Sequence, residues 1–140
     1  MILLDTSVVI DARDPSQADH GWAAGEIEAA VTGEGAGINT VILAELCAGS
    51  PRPENIEPEI RKLGLNIFDL PASMATICGQ AYRHYLVARR TSGGGSAPKT
   101  PLPDFFIGAH AEAMGWKLAT RDSERIARYF PKVSLITPGD

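Results

Sequence analysis

The 140-residue chain is short of the residues that soft metal sites and covalent cross-links require: it has two cysteines, Cys47 and Cys78, and three histidines. Neither cysteine has a close Cys or His neighbour of the kind a zinc site needs, so both read as buried thiols. A large excess of one sign of charge is also lacking, since 13 Lys and Arg against 17 Asp and Glu leave a formal net charge of −4. That balance argues against a broadly basic nucleic-acid binder, but it leaves room for a local basic rim around an acidic, metal-filled centre. No apolar run approaches the ~20 residues needed to span a bilayer. The start lacks a basic segment and a signal-length apolar stretch, because Asp5 interrupts it early; the expected compartment is the cytoplasm. Repeats and low-complexity tails are absent.

What is present is an ordinary globular composition, 44% hydrophobic and 21% charged. This length fits one domain, 1–140, with a real core. Ile2 to Leu4 reads as a buried strand, Ser7 to Ala12 as a short helix, and 18–31 as a longer one that stops at the glycine-rich TGEGAG. A strand over 37–39 follows, and Asn39 and Thr40 are caps for the helix TVILAELCAG, which ends at Gly49 and Ser50-Pro51. A polar helix over 54–63, the strand LNIFDL and a helix from Pro71 to the basic pair Arg89 and Arg90 come next. TSGGGSAPKTP reads as a mobile surface loop. Beyond it lie the helix LPDFFIGAHAEAMG, the strand WKLAT, the helix DSERIARYF and the strand VSLIT. Strands alternating with helices predict an α/β fold with a mainly parallel sheet, whose sites form beyond the strands' carboxyl ends.

Four acids do not fit that plain pattern. Asp5 ends a strand that is apolar on both faces. Glu45 is surrounded in sequence by Val41, Ile42, Leu43, Ala44, Leu46 and Cys47, so it is either on a narrow solvent stripe or a buried carboxylate in need of a partner. Asp104 and Asp122 each stand at a helix start, where an acid is favourable as a cap alone. All four fall at strand ends or on helices beside them, on one side of the expected sheet. Four converging carboxylates repel one another unless a divalent cation neutralises them. Oxygen-only ligation favours Mg²⁺ or Mn²⁺, and such ions serve in-line hydrolysis of phosphodiesters.

The stretches LLDTSVVID, TVILAEL, PLPDFFIGAHAEAMGWKLATRD and FPKVSLITP, in this order and spacing, resemble the PIN-domain ribonucleases, in particular the VapC-type toxins of bacterial toxin–antitoxin pairs. The resemblance covers nearly the whole chain. It implies a three-layer α/β/α sandwich with a central, mainly parallel sheet of four to five strands. It also implies that Asp5, Glu45, Asp104 and Asp122 form an acidic quartet holding Mg²⁺ or Mn²⁺. Thr6 or Ser7, together with Thr120, match hydroxyl positions that hydrogen-bond the carboxylates or the metal's water, with Thr6 and Ser7 expected as partners of Asp5. The implied activity is endoribonucleolytic cleavage of single-stranded or looped RNA by a protein that is usually a homodimer and is silenced by an antitoxin.

Arg89, Arg90 and Lys99, and separately Arg121 and Arg125, are candidate basic rims for an RNA backbone. Phe105 and Phe106 read as core. His110 falls nearly opposite Asp104 on an ideal helix and is not expected to share a metal; His20 and His84 have no partners at ligand spacing, and Asp11 reads as a surface residue. Two alternatives stay open: a non-catalytic module of the same fold that binds and dimerises, and a domain phosphorylated on Asp5, for which Lys117 is the one available late-strand lysine.

Overall fold

The computed structural model describes residues 1–91 and 99–139. The expected mobile loop, TSGGGSAPKTP, lies mostly outside the described residues. The first strand, β1 (Ile2–Leu4), is buried along its whole length and leads directly into α1 (Thr6–Arg13). Then come α2 (His20–Thr32), β2 (Ala36–Asn39), α3 (Thr40–Ala48), α4 (Ile56–Lys62) and β3 (Asn66–Phe68). The second half contains α5 (Ala75–Thr91), α6 (Leu102–Met114), β4 (Lys117–Ala119), α7 (Ser123–Tyr129) and β5 (Leu135–Ile136). Two single 3₁₀ turns, Pro53–Asn55 and Ala72–Met74, lead into α4 and α5.

Local chemistry explains these boundaries. Asn39 caps α3, its Oδ1 accepting the Ile42 amide at 3.0 Å. Gly115 ends α6 in a left-handed conformation, φ 67°, that costs a glycine nothing.

The five strands form one sheet in the order β3-β2-β1-β4-β5, and every pairing is parallel. With the helices covering it, the sheet is the centre of a three-layer α/β/α sandwich. The chain builds outward from β1 through β2 to β3, then returns to lay β4 and β5 on the other side of β1. In a parallel sheet such a reversal opens a crevice at the strands' carboxyl ends, because the loops on either side of it diverge. Leu3, Leu4, Ile38 and Leu118 fill the sheet's interior.

Phe105 of α6 sits at the middle of a ring cluster with Tyr82, Tyr85, Tyr129 and Phe130. Phe105 is fully buried and Phe106 half-buried against the same core. Among the described residues no helix is long and apolar enough to cross a membrane.

Candidate active site

Asp5 is the residue that follows β1, and its position is fixed three times over. Its amide donates to the Ala119 carbonyl at 2.9 Å, which extends the β1–β4 ladder by one bond. Its Oδ1 accepts the Thr6 amide at 2.7 Å, capping α1, and its Oδ2 accepts the Thr120 hydroxyl at 2.8 Å. Asp5 is only 5% exposed. Burial pushes its carboxyl above the usual aspartate range, the Thr120 and Thr6 hydrogen bonds pull it back, and Asp122 and Glu45 add a smaller push upward.

Two threonines extend this arrangement to two further acids. The Thr6 hydroxyl donates to Glu45 Oε1 at 2.6 Å, bringing the middle of α3 to the end of β1. Thr120 Oγ1, while donating to Asp5, accepts the Asp122 amide at 3.0 Å. Arg125 completes the circuit: its Nε stands 3.1 Å from Asp104 Oδ2 and its Nη2 3.3 Å from Asp122 Oδ2. Glu45, Asp5, Asp122 and Asp104 are thus joined through Thr6, Thr120 and Arg125. Glu45 also opens onto a groove of about 380 Å³ lined by Ile10, Arg13, Leu46, Pro51 and Ile56.

Asp104 is strongly perturbed by its surroundings. Its carboxyl is pushed up to about 6, first by burial, with Arg125 pulling it down and Asp5, Glu45 and Asp122 pushing it further up. Neither Asp104 nor Asp122 uses its side chain to cap the helix it opens; both carboxylates turn to Arg125 instead.

The structure corrects several sequence expectations. Ser7 is buried but its Oγ makes no hydrogen bond, so it is not a partner of Asp5, and the Thr6 hydroxyl serves Glu45 rather than Asp5. Asp11 is not a surface residue: it is fully buried, its Oδ1 accepts from Arg121 Nη1 at 3.2 Å, and its carbonyl accepts from His20 Nδ1 at 2.8 Å. Helical spacing carries the missed signal, since Asp11 falls one turn after Ser7 and Val8 on the buried side of α1. Arg121 and Arg125 are accordingly engaged with acids, and neither is a free rim cation. Arg89 and Arg90 line a cleft with Arg83 and Leu86 that includes none of the four acids, and Lys99 is exposed.

Lys117 begins β4, at the end of the sheet away from Asp5, and pairs with Glu34 at 2.9 Å. The phosphotransfer alternative thereby loses its lysine. His110 is buried and points at Asn39, whose Nδ2 donates to its Nδ1 at 3.1 Å. Burial holds its pKa below the usual histidine value, in keeping with a neutral ring.

The sequence profile of the PIN domain matches residues 2–130. The chain belongs to the PIN domain family. Solved structures with the same fold include VapBC2 from Rickettsia felis bound to a DNA fragment from their promoter, at 22% identity, TM-score 0.68 and 98% coverage of both chains. A toxin–antitoxin complex from Klebsiella pneumoniae is similar at 19% identity and TM-score 0.60, with 100% of this chain and 99% of the other covered. Mycobacterium tuberculosis VapC20, a toxin that cleaves the sarcin–ricin loop, is similar at 17% identity and TM-score 0.64, over 96% of this chain and 99% of that one. No curated protein sequence matches the chain.

PIN-domain membership raises the question of a divalent cation. Among the described residues no three His, Cys, Asp or Glu side chains are already grouped as ligands. The donor set nevertheless fits a hard ion in its chemistry. It consists of carboxylates and hydroxyls only, and Asp104 Oδ2 is buried without a hydrogen bond. Three like charges face that oxygen against one guanidinium.

Proposed function

We propose that this PIN domain is a Mg²⁺- or Mn²⁺-dependent endoribonuclease, the toxin of a toxin–antitoxin pair, working in the cytoplasm. The observation that carries this reading is the single connected network in which Thr6, Thr120 and Arg125 hold Glu45, Asp5, Asp122 and Asp104 together at the carboxyl end of the sheet.

Asp5 and Asp104 are the residues assigned to hold the cation, with Glu45 and Asp122 completing its surroundings directly or through water. When bound, such an ion acidifies the attacking water and neutralises the phosphate oxygens during in-line displacement. The chain's own part is positioning. Thr120 and the Thr6 amide orient both Asp5 oxygens, so no rotation of that carboxylate is needed when substrate arrives. The Thr6 hydroxyl fixes one oxygen of Glu45 and leaves the other for water or the departing proton. The groove beside Glu45 gives an RNA strand a path to that acid, with Ile10, Leu46 and Pro51 as its apolar wall.

The likeness to a toxin–antitoxin complex and to a toxin that cleaves the sarcin–ricin loop supports assigning an antitoxin partner to this chain, and the RNA substrate and the homodimer are taken from its resemblance to the PIN-domain ribonucleases. The test is cleavage of labelled single-stranded RNA by the purified protein with Mg²⁺, with Mn²⁺ or with EDTA, beside Asp5→Asn and Asp104→Asn. Cleavage that needs the ion and is lost in both variants is expected. Cleavage in EDTA, or full activity in both variants, would overturn the proposal.

A further inference from the structure

We propose that Arg125 is the site's internal counter-ion: it neutralises Asp104 and Asp122 while the site holds no cation and gives up Asp104 Oδ2 to an incoming one, thereby setting the site's cation affinity. This rests on the reading of the acids as a cation site.

The geometry is that of one guanidinium across two carboxylates from different elements. Nε faces Asp104, on α6, at 3.1 Å, and Nη2 faces Asp122, just before α7, at 3.3 Å. The contact with Asp104 is close in charge but poor in direction. Neither Nε nor Asp104 Oδ2 makes a hydrogen bond, although both atoms are buried. An arginine held by a well-aligned, bidentate fork is hard to dislodge, because alignment adds to charge. Arg125 has the charge without that alignment.

The count of charges points the same way. Asp104 faces Asp5, Glu45 and Asp122 as well as Arg125, so one positive charge is shared among four acids. A divalent cation supplies two charges at shorter range and takes oxygen lone pairs that the guanidinium leaves unfilled. The two cannot both use Asp104 Oδ2, because the cation and Nε would repel each other at contact distance.

Arg125 also has somewhere to go. It lies in the first turns of α7, is about one-third exposed (36% for its side chain), and borders an open cleft of about 310 Å³ with Arg121, Asp122, Ser123 and Glu124. Swinging into that cleft releases Asp104 and puts the guanidinium at the rim of the acidic centre. There it is available to an RNA phosphate, so the rim cation expected from the sequence exists only after the ion has bound.

The test is calorimetric titration of Mn²⁺ into the full chain, wild type, Asp104→Asn, Arg125→Gln and Arg125→Lys, paired with the arginine Nε resonances of wild type during a Mg²⁺ titration. Wild-type binding that Asp104→Asn abolishes secures the cation site itself. Arg125→Gln is then expected to bind Mn²⁺ on the order of tenfold more tightly, with Arg125→Lys between. The Arg125 Nε resonance is expected to move with the midpoint of Mg²⁺ binding. Unchanged or weaker affinity in a folded Arg125→Gln overturns the counter-ion role while leaving the cation site standing. If that variant does not fold, an Arg125 resonance unmoved at saturating Mg²⁺ overturns it equally. Absence of binding in wild type and Arg125→Gln alike overturns both readings.

Discussion

Thr120 and Asp5 are 115 positions apart in sequence, and the hydroxyl of one lies 2.8 Å from the carboxylate of the other. Because Thr120 also accepts the Asp122 amide, a single oxygen ties the end of β1 to the turn that carries a second acid. It acts as both donor and acceptor, and each of the groups it serves is at least partly buried.

Thr120→Val keeps the shape and removes both bonds. A buried carboxylate then loses its donor and a backbone amide its acceptor, so we expect about 1.5–3 kcal/mol of destabilisation in urea unfolding of the cation-free chain. Thr120→Ser, which keeps the hydroxyl, recovers most of it. A valine variant unfolding at the wild-type midpoint would show that the bonds carry no net stability.

The half-buried pair Asp11–Arg121 predicts an asymmetry. Asp11 is fully enclosed whereas the Arg121 side chain is 41% exposed. Removing the arginine strands a carboxylate in the interior; removing the charge of Asp11 leaves a guanidinium that water solvates. Arg121→Ala should therefore cost about 1–3 kcal/mol and Asp11→Asn under ~1 kcal/mol. Equal losses in denaturant melts would refute the argument.

Two glycines in neighbouring helices should respond oppositely to alanine. A Cβ at Gly108 of α6 would come within 2.3 Å of the Phe130 ring, which is locked in the aromatic cluster. We expect Gly108→Ala to lose about 1–3 kcal/mol through overpacking. At Gly79 of α5 nothing lies within 4 Å of the added carbon, so alanine should gain about 0.5–1 kcal/mol. Thermal melts of the two variants are the check.

Acidification acts on two buried groups with opposite sign. His110 is depressed below 6.5, so the unfolded chain binds its proton first. Its contribution to stability is full above pH 6.5 and is lost as pH falls below that value. Asp104 is raised from 3.8 to about 6, so here the folded chain binds the proton first, and the cation-free protein gains stability from this group as pH falls from about 6 towards 3.8. Between pH 7.5 and 5, His110→Gln should lose less stability than wild type, and Asp104→Asn should lose more. Cation affinity should weaken below pH about 6, where protons compete for Asp104.

Much of this architecture was legible because its signals are local. The apolar triplet ending at Asp5, the Asn39 cap and the Gly115 stop each place an element without reference to distant residues. The candidate acids were legible by position, since strand ends in a parallel sheet share one side. What the sequence hid was the pairing among side chains. The Thr6 hydroxyl reaches Glu45 rather than Asp5, the Ser7 hydroxyl makes no hydrogen bond, and two arginines expected to face a ligand instead face Asp11, Asp104 and Asp122. Such choices depend on the packing of α3, α6 and α7, which no local spacing encodes.

The placement of β4 beside β1 also has a consequence for the protein as it is made. Asp5 is translated 115 positions ahead of Thr120, the hydroxyl that holds it, and β4 delivers Thr120 and Asp122 to its side only after that interval. Until then β1 has an open flank and Asp5 has neither the Ala119 carbonyl nor the Thr120 hydroxyl to hold it. A nascent or truncated chain lacking β4 therefore carries the acids of the first half without the geometry that joins them. The order of the strands therefore leaves the four acids unjoined until β4 and the turn that follows it have been translated.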